Sequence, residues 1–329
     1  MDWYLGPGSR FQSVNRLLPS QVLVLPTGEL RPRRLLPAVP SDDTYDDLLD
    51  KLQTCLVNAV RQAAKQSNNL FLPLTAGHDS RLLLAIARYA NINVTTYTNS
   101  HQDISQADLI IPPKLAKAAG FKHIVHKGGA FRSDLAAVFD RHTGGQCVDR
   151  DRFYITHQYF TWARQGAMIL RGGCFEIGRC YYWGKFPETA GGPSLPGSSV
   201  IADGFNEQSD PTLLQTLDQW IAWANSTSSD EMDWRDRLYL EQRLAGWLSS
   251  VEQALDLVDA ERFLAANSHF FLAHVLQIPP EKRCSSQHQV DLIKRMAPEL
   301  LEFPFNPQVR KPLPRRVLKK VKRLLQTVR

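Results

Sequence analysis

Apolar and polar residues alternate along the chain in two rhythms, one typical of strands and one typical of helices. Short apolar runs predict four strands, at residues 70–74, 93–98, 122–126 and 167–171. Apolar residues three to four positions apart predict the helices between them, at residues 80–90, 105–119 and 153–165. Because strands and helices alternate, the pattern favours an α/β fold, with a parallel sheet covered by helices on both faces.

The regions before and after this alternation have different patterns. Residues 21–25 predict a strand, the Pro- and Arg-rich stretch 26–40 predicts a linker, and an amphipathic helix capped at Ser41 is expected to run to about Gln66. Pro73 counts against 70–74 as a central strand, because proline cannot donate to a ladder. Further helices are predicted at residues 211–223, 233–258 and 260–276. The Gly/Pro/Ser-rich stretch 187–204 is interpreted as a mobile loop, either an active-site lid or a disordered insertion.

Charge separates the tail from the rest of the chain. The net charge is +6, but residues 310–329 hold nine of the 39 Lys and Arg and no acid. The remainder therefore carries 30 basic against 33 acidic residues, a net of −3. This mildly acidic body argues against a nucleic-acid-binding protein. Residues 313–329 predict a basic amphipathic helix, with 315–328 suited either to an anionic membrane surface or partner groove, or to packing on the acidic body.

The five cysteines form no Cys-x-x-Cys pair, and the first residues lack the basic and apolar regions of a signal peptide. No apolar run is long enough to cross a bilayer. We therefore expect a cytoplasmic protein, peripheral at the inner membrane surface if the tail binds lipid.

One segment carries a chemical pattern. After the apolar run ending at Leu74, the small-residue turn Thr75–Gly77 leads into Asp79 and Ser80, which open a helix. Such a turn directs backbone N–H groups and a helix N-terminus at one place, which suits pyrophosphate. Asp79 beside phosphate implies a divalent cation, and hence a Mg²⁺-nucleotide. The sequence lacks the Gly-Lys-Ser/Thr of a Walker A loop, and an ordinary strand-to-helix turn capped by Asp or Ser remains the alternative.

The segment resembles the Ser-Gly-Gly-x-Asp-Ser signature of the N-type ATP pyrophosphatases, and specifically the asparagine synthetase-like family. Gly77, Asp79 and Ser80 match, whereas Thr75 and Ala76 replace Ser and Gly. Three other stretches are similar to family segments: residues 11–36 to the interdomain connection, 169–176 to a Gly-x-Gly-x-Asp-Glu stretch, and 292–306 to the closing segment. The resemblance spans roughly residues 10–311 and implies a Rossmann-like sheet of the adenine nucleotide alpha hydrolase type with a C-terminal helical part. It divides the chain into an N-terminal segment (1–40), an ATP-binding domain (41–312) and the tail (313–329).

In that family a carboxylate attacks the α-phosphorus of ATP, and ammonia or an amine then converts the acyl-adenylate into an amide with release of AMP. The resemblance implies nucleotide contacts at six positions: Thr75, Ala76, Gly77, Asp79, Ser80 and Arg81. It also implies Mg²⁺ on Asp79, with Glu176 as the second metal ligand and catalytic carboxylate, because Phe175 stands where the family has Asp. Lys311 lies close to the family's late catalytic lysine. Arg243 is the one substrate contact assigned in the helix at 233–258.

The departures from the family change the expected partners. We expect the glutaminase half to be missing, because residue 2 is Asp where that half requires a nucleophilic Cys. The amine donor is therefore expected to be free ammonia, an amine substrate, or ammonia supplied by a separate partner. The substitutions at Thr75, Ala76 and Phe175 motivate the main alternative, a catalytically impaired nucleotide-binding relative acting as scaffold or subunit.

Overall fold

The computed structural model describes most of the chain, with gaps. Its ranges are residues 4–9, 11, 13–37, 42–101, 104–127, 137–138, 141–142, 163, 165–187, 191–207, 210–227 and 232–309. Lys311 and the tail 313–329 lie outside the described residues, and so does the predicted helix at 153–165 except for residues 163 and 165. In the described part of the chain, no helix combines the length and apolar character needed to cross a membrane.

Seven strands form two sheets within the described residues. The first is an antiparallel hairpin of β1 (Gln21–Val24) and β2 (Glu29–Pro32). The linker prediction for 26–40 was therefore wrong over β2, whose four residues are all exposed and give no alternating apolar signal. The second sheet consists of five parallel strands: β3 (Asn69–Pro73), β4 (Thr95–Ser100), β5 (His123–Lys127), β6 (Ala167–Arg171) and β7 (Glu261–Leu264).

The order β5-β4-β3-β6-β7 places β3 in the centre of the parallel sheet. The objection to a central strand was wrong, because Pro73 is the last residue of β3 and lies beyond Phe71, where pairing with β6 stops. The ladder towards β4 continues through the Leu74 N–H, which donates to the Tyr97 carbonyl at 2.8 Å. A proline at this position therefore removes no donor from the sheet.

Ten α-helices are described. They are α1 (Tyr45–Gln66), α2 (His78–Tyr89), α3 (Gln106–Ala119), α4 (Ser198–Gly204), α5 (Pro211–Ser226), α6 (Trp234–Leu238), α7 (Ser249–Ala254), α8 (His269–Val275), α9 (Pro280–Cys284) and α10 (Gln287–Met296). A π-helix (Tyr239–Leu248) joins α6 to α7, and 3₁₀ turns occupy Phe175–Arg179, Leu255–Leu257 and Pro298–Glu302.

Two sequence predictions in the second half need correction. The predicted helix at 260–276 begins as the strand β7 and becomes helical only at α8. The predicted mobile loop at 187–204 ends in α4, whose Ile201 and Ala202 are fully buried. The helical content of 233–258 is confirmed, but it is divided among α6, the π-helix and α7.

The parallel sheet is covered on both faces. In β6, Met168 and Leu170 enter the main core, whereas Ala167 and Ile169 enter a smaller core on the opposite face. Such a near-continuous apolar strand is typical of a parallel sheet between two helical layers. The predicted α/β Rossmann-like architecture with a helical C-terminal part is therefore confirmed. Residues of the N-terminal segment, including Leu5 and Leu36, are buried in the same main core.

Candidate functional site

The strand order creates a crevice at one edge of the sheet. The chain moves from β3 outward to β4 and β5, then crosses back to place β6 on the other side of β3. Ligands of open α/β sheets bind at such a switch point, outside the carboxyl ends of the strands. Here the turn after β3 meets Gly172, the residue after β6. A Cβ on Gly172 would lie 3.4 Å from Asp79 Cβ and 3.9 Å from the Ser80 nitrogen, so the two loops approach closely.

The turn after β3 is fixed by side-chain hydrogen bonds. Thr75 donates its N–H to Ser80 Oγ (3.0 Å), and the Thr75 hydroxyl accepts the N–H of Gly77 (3.2 Å). The Ala76 N–H donates to Asp108 Oδ1 (2.8 Å), which reaches across from α3. Threonine therefore supplies here the hydroxyl that links the turn to the first residues of α2.

The N-terminus of α2 faces the crevice without a capping side chain. Gly77 is its N-cap, in extended conformation, and has no side chain that could accept from the N–H groups of the first turn. The first N–H groups of an α-helix have no intrahelical acceptor and carry the positive end of the helix dipole. Together with the turn, this arrangement can bind an anion through backbone donors.

Asp79 projects from this first turn into a charged environment. Its carboxylate accepts from Arg179 Nη2 (2.8 Å) and Gln289 Nε2 (2.9 Å). Burial raises the pKa of Asp79, the Arg179 charge opposes that shift, and the Glu176 charge adds to it. Asp79 and Glu176 are therefore close enough for their charges to interact.

Glu176 lies on the opposite wall of the crevice. It accepts from the Tyr239 hydroxyl (2.8 Å) and from Arg243 Nε (3.3 Å), both on the π-helix. The guanidinium of Arg243 also lies 4.3 Å from the ring centre of Tyr181 and 4.2 Å from that of Trp247. π-Helical turns occur frequently at functional sites, and this one brings two donors to a single carboxylate.

The neighbouring Phe175 points the other way. Its ring is buried in the main core, edge-on to Phe271 with centroids 5.5 Å apart. Adjacent residues of the 3₁₀ turn therefore face different environments, and Glu176 is the one that reaches the crevice. Position 175 supplies no ligand to a cation there.

The donor chemistry of the crevice fits Mg²⁺. Asp79 and Glu176 each retain partly exposed side chains, at 22% and 25%. Mg²⁺ is usually held by one or two carboxylates together with substrate phosphates and water, which matches this pair. No group of three or more His, Cys, Asp or Glu side chains suited to a metal is found among the described residues. Asp79 and Glu176 are thus the two carboxylates that the described residues offer to a cation in the crevice.

Arg81 does not lie where the resemblance implies, which corrects its assignment as a nucleotide contact. The side chain is completely buried, and its two terminal nitrogens donate to four carbonyl oxygens. The acceptors are those of Leu300 (3.2 Å), Phe303 (2.6 Å), Ala76 (3.1 Å) and Pro304 (2.9 Å). Arg81 therefore fastens the closing segment to the turn, and both terminal nitrogens are occupied by backbone carbonyls.

The closing segment returns to the candidate site. The Asn306 N–H donates to the Ala76 carbonyl (3.1 Å), and the ring of Phe305 stacks on His78 with centroids 4.0 Å apart. Burial lowers the pKa of His78 to about 4, with further contributions from Arg179 and Arg81, so its imidazole is neutral at pH 7. Lys311, the other predicted catalytic residue, falls outside the described residues.

The structure thus brings together Thr75, Ala76, Gly77, Asp79, Ser80 and Glu176. Sequence reasoning missed Arg179 and Gln289, which lie 100 and 210 residues from Asp79 in the chain. Nothing in the sequence around Gln289 indicated a role at this site. Arg179 lies three residues after Glu176, and a short helical turn across that segment would have indicated that it shares the crevice.

Comparison with known proteins identifies no family. No protein-family profile matches the sequence, and no curated protein matches it. Among solved structures, the chain is similar to an NH₃-dependent NAD synthetase from Campylobacter jejuni at 13% identity and a TM-score of 0.29, over 57% of this chain and 98% of that one. It is also similar to an NMN synthetase from Francisella tularensis at 15% identity and a TM-score of 0.30, over 65% of this chain and 94% of that one. These values are too low to assign a family.

Proposed function

We propose that this chain is an ATP-dependent, AMP-forming carbon–nitrogen ligase similar to the asparagine synthetase-like enzymes. It would activate a small-molecule carboxylate as an acyl-adenylate for attack by ammonia or an amine. One observation carries the proposal: the uncapped N-terminus of α2 opens onto the switch point of the sheet, with Asp79 and Glu176 beside it. This combination suits a leaving group that is both anionic and bound to a divalent cation.

Different residues would bind the phosphates, the cation and the charge at the α-phosphorus. The turn Thr75–Gly77 and the N–H groups that open α2, including Ser80, would bind the β- and γ-phosphates. Asp79 and Glu176 would hold Mg²⁺, which neutralises negative charge on the phosphates when bound. Lys311 remains the proposed cation for the charge that develops at the α-phosphorus.

Arg243 is the best candidate for the acyl substrate's carboxylate. Its guanidinium is held between Tyr181 and Trp247, and it reaches the crevice beside Glu176. A planar, permanently charged donor fixed by aromatic rings suits recognition of a carboxylate. The amine donor would be free ammonia, a small amine, or ammonia delivered by a separate protein.

Nucleotide binding and pyrophosphate release test the proposal separately. Asp79→Asn keeps the shape of the side chain but removes its charge, so we expect Mg²⁺-ATP affinity to fall about 100-fold, since a charged partner contributes several kcal/mol. Calorimetry measures the affinity, and release of pyrophosphate and AMP is then assayed across candidate carboxylates with ammonia or amines. The control is Asp46→Asn, which removes a carboxylate that is paired with Arg295 but 82% exposed.

Wild-type affinity in Asp79→Asn would show that the site is assigned wrongly. The second candidate function, a nucleotide-binding scaffold or subunit, is favoured by the buried Phe175 and by the pairing of Asp79 with Arg179. It predicts ATP binding that depends on Asp79 without pyrophosphate release for any substrate pair.

A further inference from the structure

Arg179 is the charged residue of the crevice that no motif identifies. It ends the 3₁₀ turn Phe175–Arg179, and its Nη2 donates to Asp79 Oδ2 at 2.8 Å. Its Nε is buried and has no hydrogen-bond partner within the described part of the chain. The guanidinium therefore retains donor capacity beyond its bond to Asp79, close to the carboxylates and to the N–H groups that open α2.

The position of Arg179 follows from the turn that carries it. Residues three apart in a 3₁₀ helix lie above one another, so Glu176 and Arg179 project on the same side. One turn thus presents a carboxylate and a guanidinium to the same crevice. The Arg179 charge also contributes to the lowered pKa values of His78 and His288, both about 4, for which burial is the larger cause. Three side chains around the start of α2, on two helices, are therefore influenced by the charge of Arg179.

We propose that Arg179 is a polyphosphate-binding residue that neutralises Asp79 when no nucleotide is bound and donates to a phosphate oxygen when Mg²⁺-nucleotide is bound. This role rests on the proposed function. The charge balance of Asp79 supports this role: a partly buried carboxylate near Glu176 is stabilised by a nearby cation, which would be Arg179 without nucleotide and Mg²⁺ with it. A guanidinium and a divalent cation on the same carboxylate would repel each other, whereas a phosphate offers the guanidinium a stronger, bidentate partner.

The two halves of the proposal predict opposite changes in one variant. In Arg179→Ala, Mg²⁺-tripolyphosphate and Mg²⁺-ATP should bind about 10- to 100-fold more weakly, the usual loss for a hydrogen bond to a charged group. Mg²⁺ alone should bind about tenfold more tightly, because Asp79 no longer has a competing cation. Arg179→Lys keeps the positive charge but loses the paired N–H donors of the planar guanidinium. Its affinities should therefore lie between those of the wild type and Arg179→Ala. Calorimetry measures all three ligands, and thermal unfolding shows which variants are folded.

Arg295→Ala is the matched control. Arg295 is as exposed as Arg179, each at 29%, and it pairs with the carboxylates of Asp46 and Asp50 away from the crevice. Its removal should leave all three affinities unchanged. Should Arg179→Ala and Arg179→Lys both bind tripolyphosphate as the wild type does, or bind Mg²⁺ alone no more tightly, the role of Arg179 is overturned. If the wild type itself binds neither Mg²⁺-ATP nor Mg²⁺-tripolyphosphate, the proposed function is what fails.

Discussion

The N-termini of α2 and α3 lie at the same edge of the sheet, each after a parallel strand, but they are closed differently. α3 begins after Ser105, whose hydroxyl accepts the Asp108 N–H at 3.0 Å. α2 begins after Gly77, which has no side chain to offer. The donors of α3 are thus partly satisfied by its own sequence, whereas those of α2 are left to a ligand or to water.

The two ends are also connected. Asp108, in the first turn of α3, accepts the Ala76 N–H and so helps to shape the turn before α2. α10 also lacks a side-chain cap, but its N-cap Ser286 follows directly on α9, whereas α2 starts at the switch point of the sheet. An absent cap becomes informative when the open helix end meets a second strand loop and a pair of carboxylates. That combination distinguishes α2 from the other described helices.

The largest effect is expected from Arg81, which fastens the closing segment to the turn before α2. Arg81→Met removes a buried guanidinium that serves four carbonyl acceptors, and each buried acceptor left unsatisfied costs about 1–3 kcal/mol. We therefore expect the free energy of unfolding to fall by at least about 3 kcal/mol. Denaturant unfolding measures the change.

Arg88→Met provides a control on the same helix. Arg88 lies in the last turn of α2 with 53% of its side chain exposed, at the end of a long ion pair with Glu299. Such a surface pair contributes about 0–1 kcal/mol. Equal destabilisation by the two variants would mean that Arg81 does not fasten the closing segment.

The second-largest effect is expected from a substitution that gives α2 a capping side chain, as α3 already has. Gly77→Asp supplies a capping carboxylate at a backbone conformation open to any residue, φ −80°, and its Cβ would need only a small shift of the Thr75 hydroxyl, 3.3 Å away. The new carboxylate would compete with phosphate for the same N–H groups. We expect Mg²⁺-tripolyphosphate affinity to fall about 100-fold, or about 2.7 kcal/mol, with little change in unfolding. Calorimetry and denaturant unfolding measure the two quantities.

Ser105→Ala makes the reverse change at α3. Losing its cap should destabilise the protein by about 1 kcal/mol and leave polyphosphate affinity within a few-fold of the wild type. If instead Gly77→Asp binds polyphosphate normally, or Ser105→Ala abolishes binding, then the open end of α2 is not the anion site.

Some of the strands and helices could be predicted from the sequence, and others could not. β3, β4, β5 and β6 and the helices α2 and α3 could be predicted, because each has a recognisable local pattern of apolar residues in its own sequence. β7 could not be predicted, since its four residues at the edge of the sheet are defined by pairing with β6, as in Leu170 with Phe263. β2 is likewise defined by its partner strand rather than by its own pattern.

The residues of the candidate site also fall into a group that the sequence predicts and a group that it does not. The turn and Asp79 lie within one contiguous motif, so they could be predicted locally. Arg81 was misassigned because each step along an α-helix rotates the side chain by about 100°, which carries it from the face of Ser80 into the core. Arg179 and Gln289 contact Asp79 only through the packing of distant elements. Local spacing relates Arg179 to Glu176, but it does not encode the contact of either residue with Asp79.

The smallest effect is a pH dependence that arises beside α2. His288, at 2% exposure, has its pKa lowered from 6.5 to about 4, chiefly by burial. The unfolded state therefore takes up a proton near pH 6.5 that the folded state resists, and stability is lost as the pH falls from about 6.5 towards 4. For one such histidine the loss between pH 7 and pH 5 is about 2 kcal/mol. Denaturant unfolding across this range should give a steep curve for the wild type and a flatter one for His288→Gln, because that side chain cannot take up a proton. An unchanged slope in His288→Gln would show that the acid sensitivity arises from other groups.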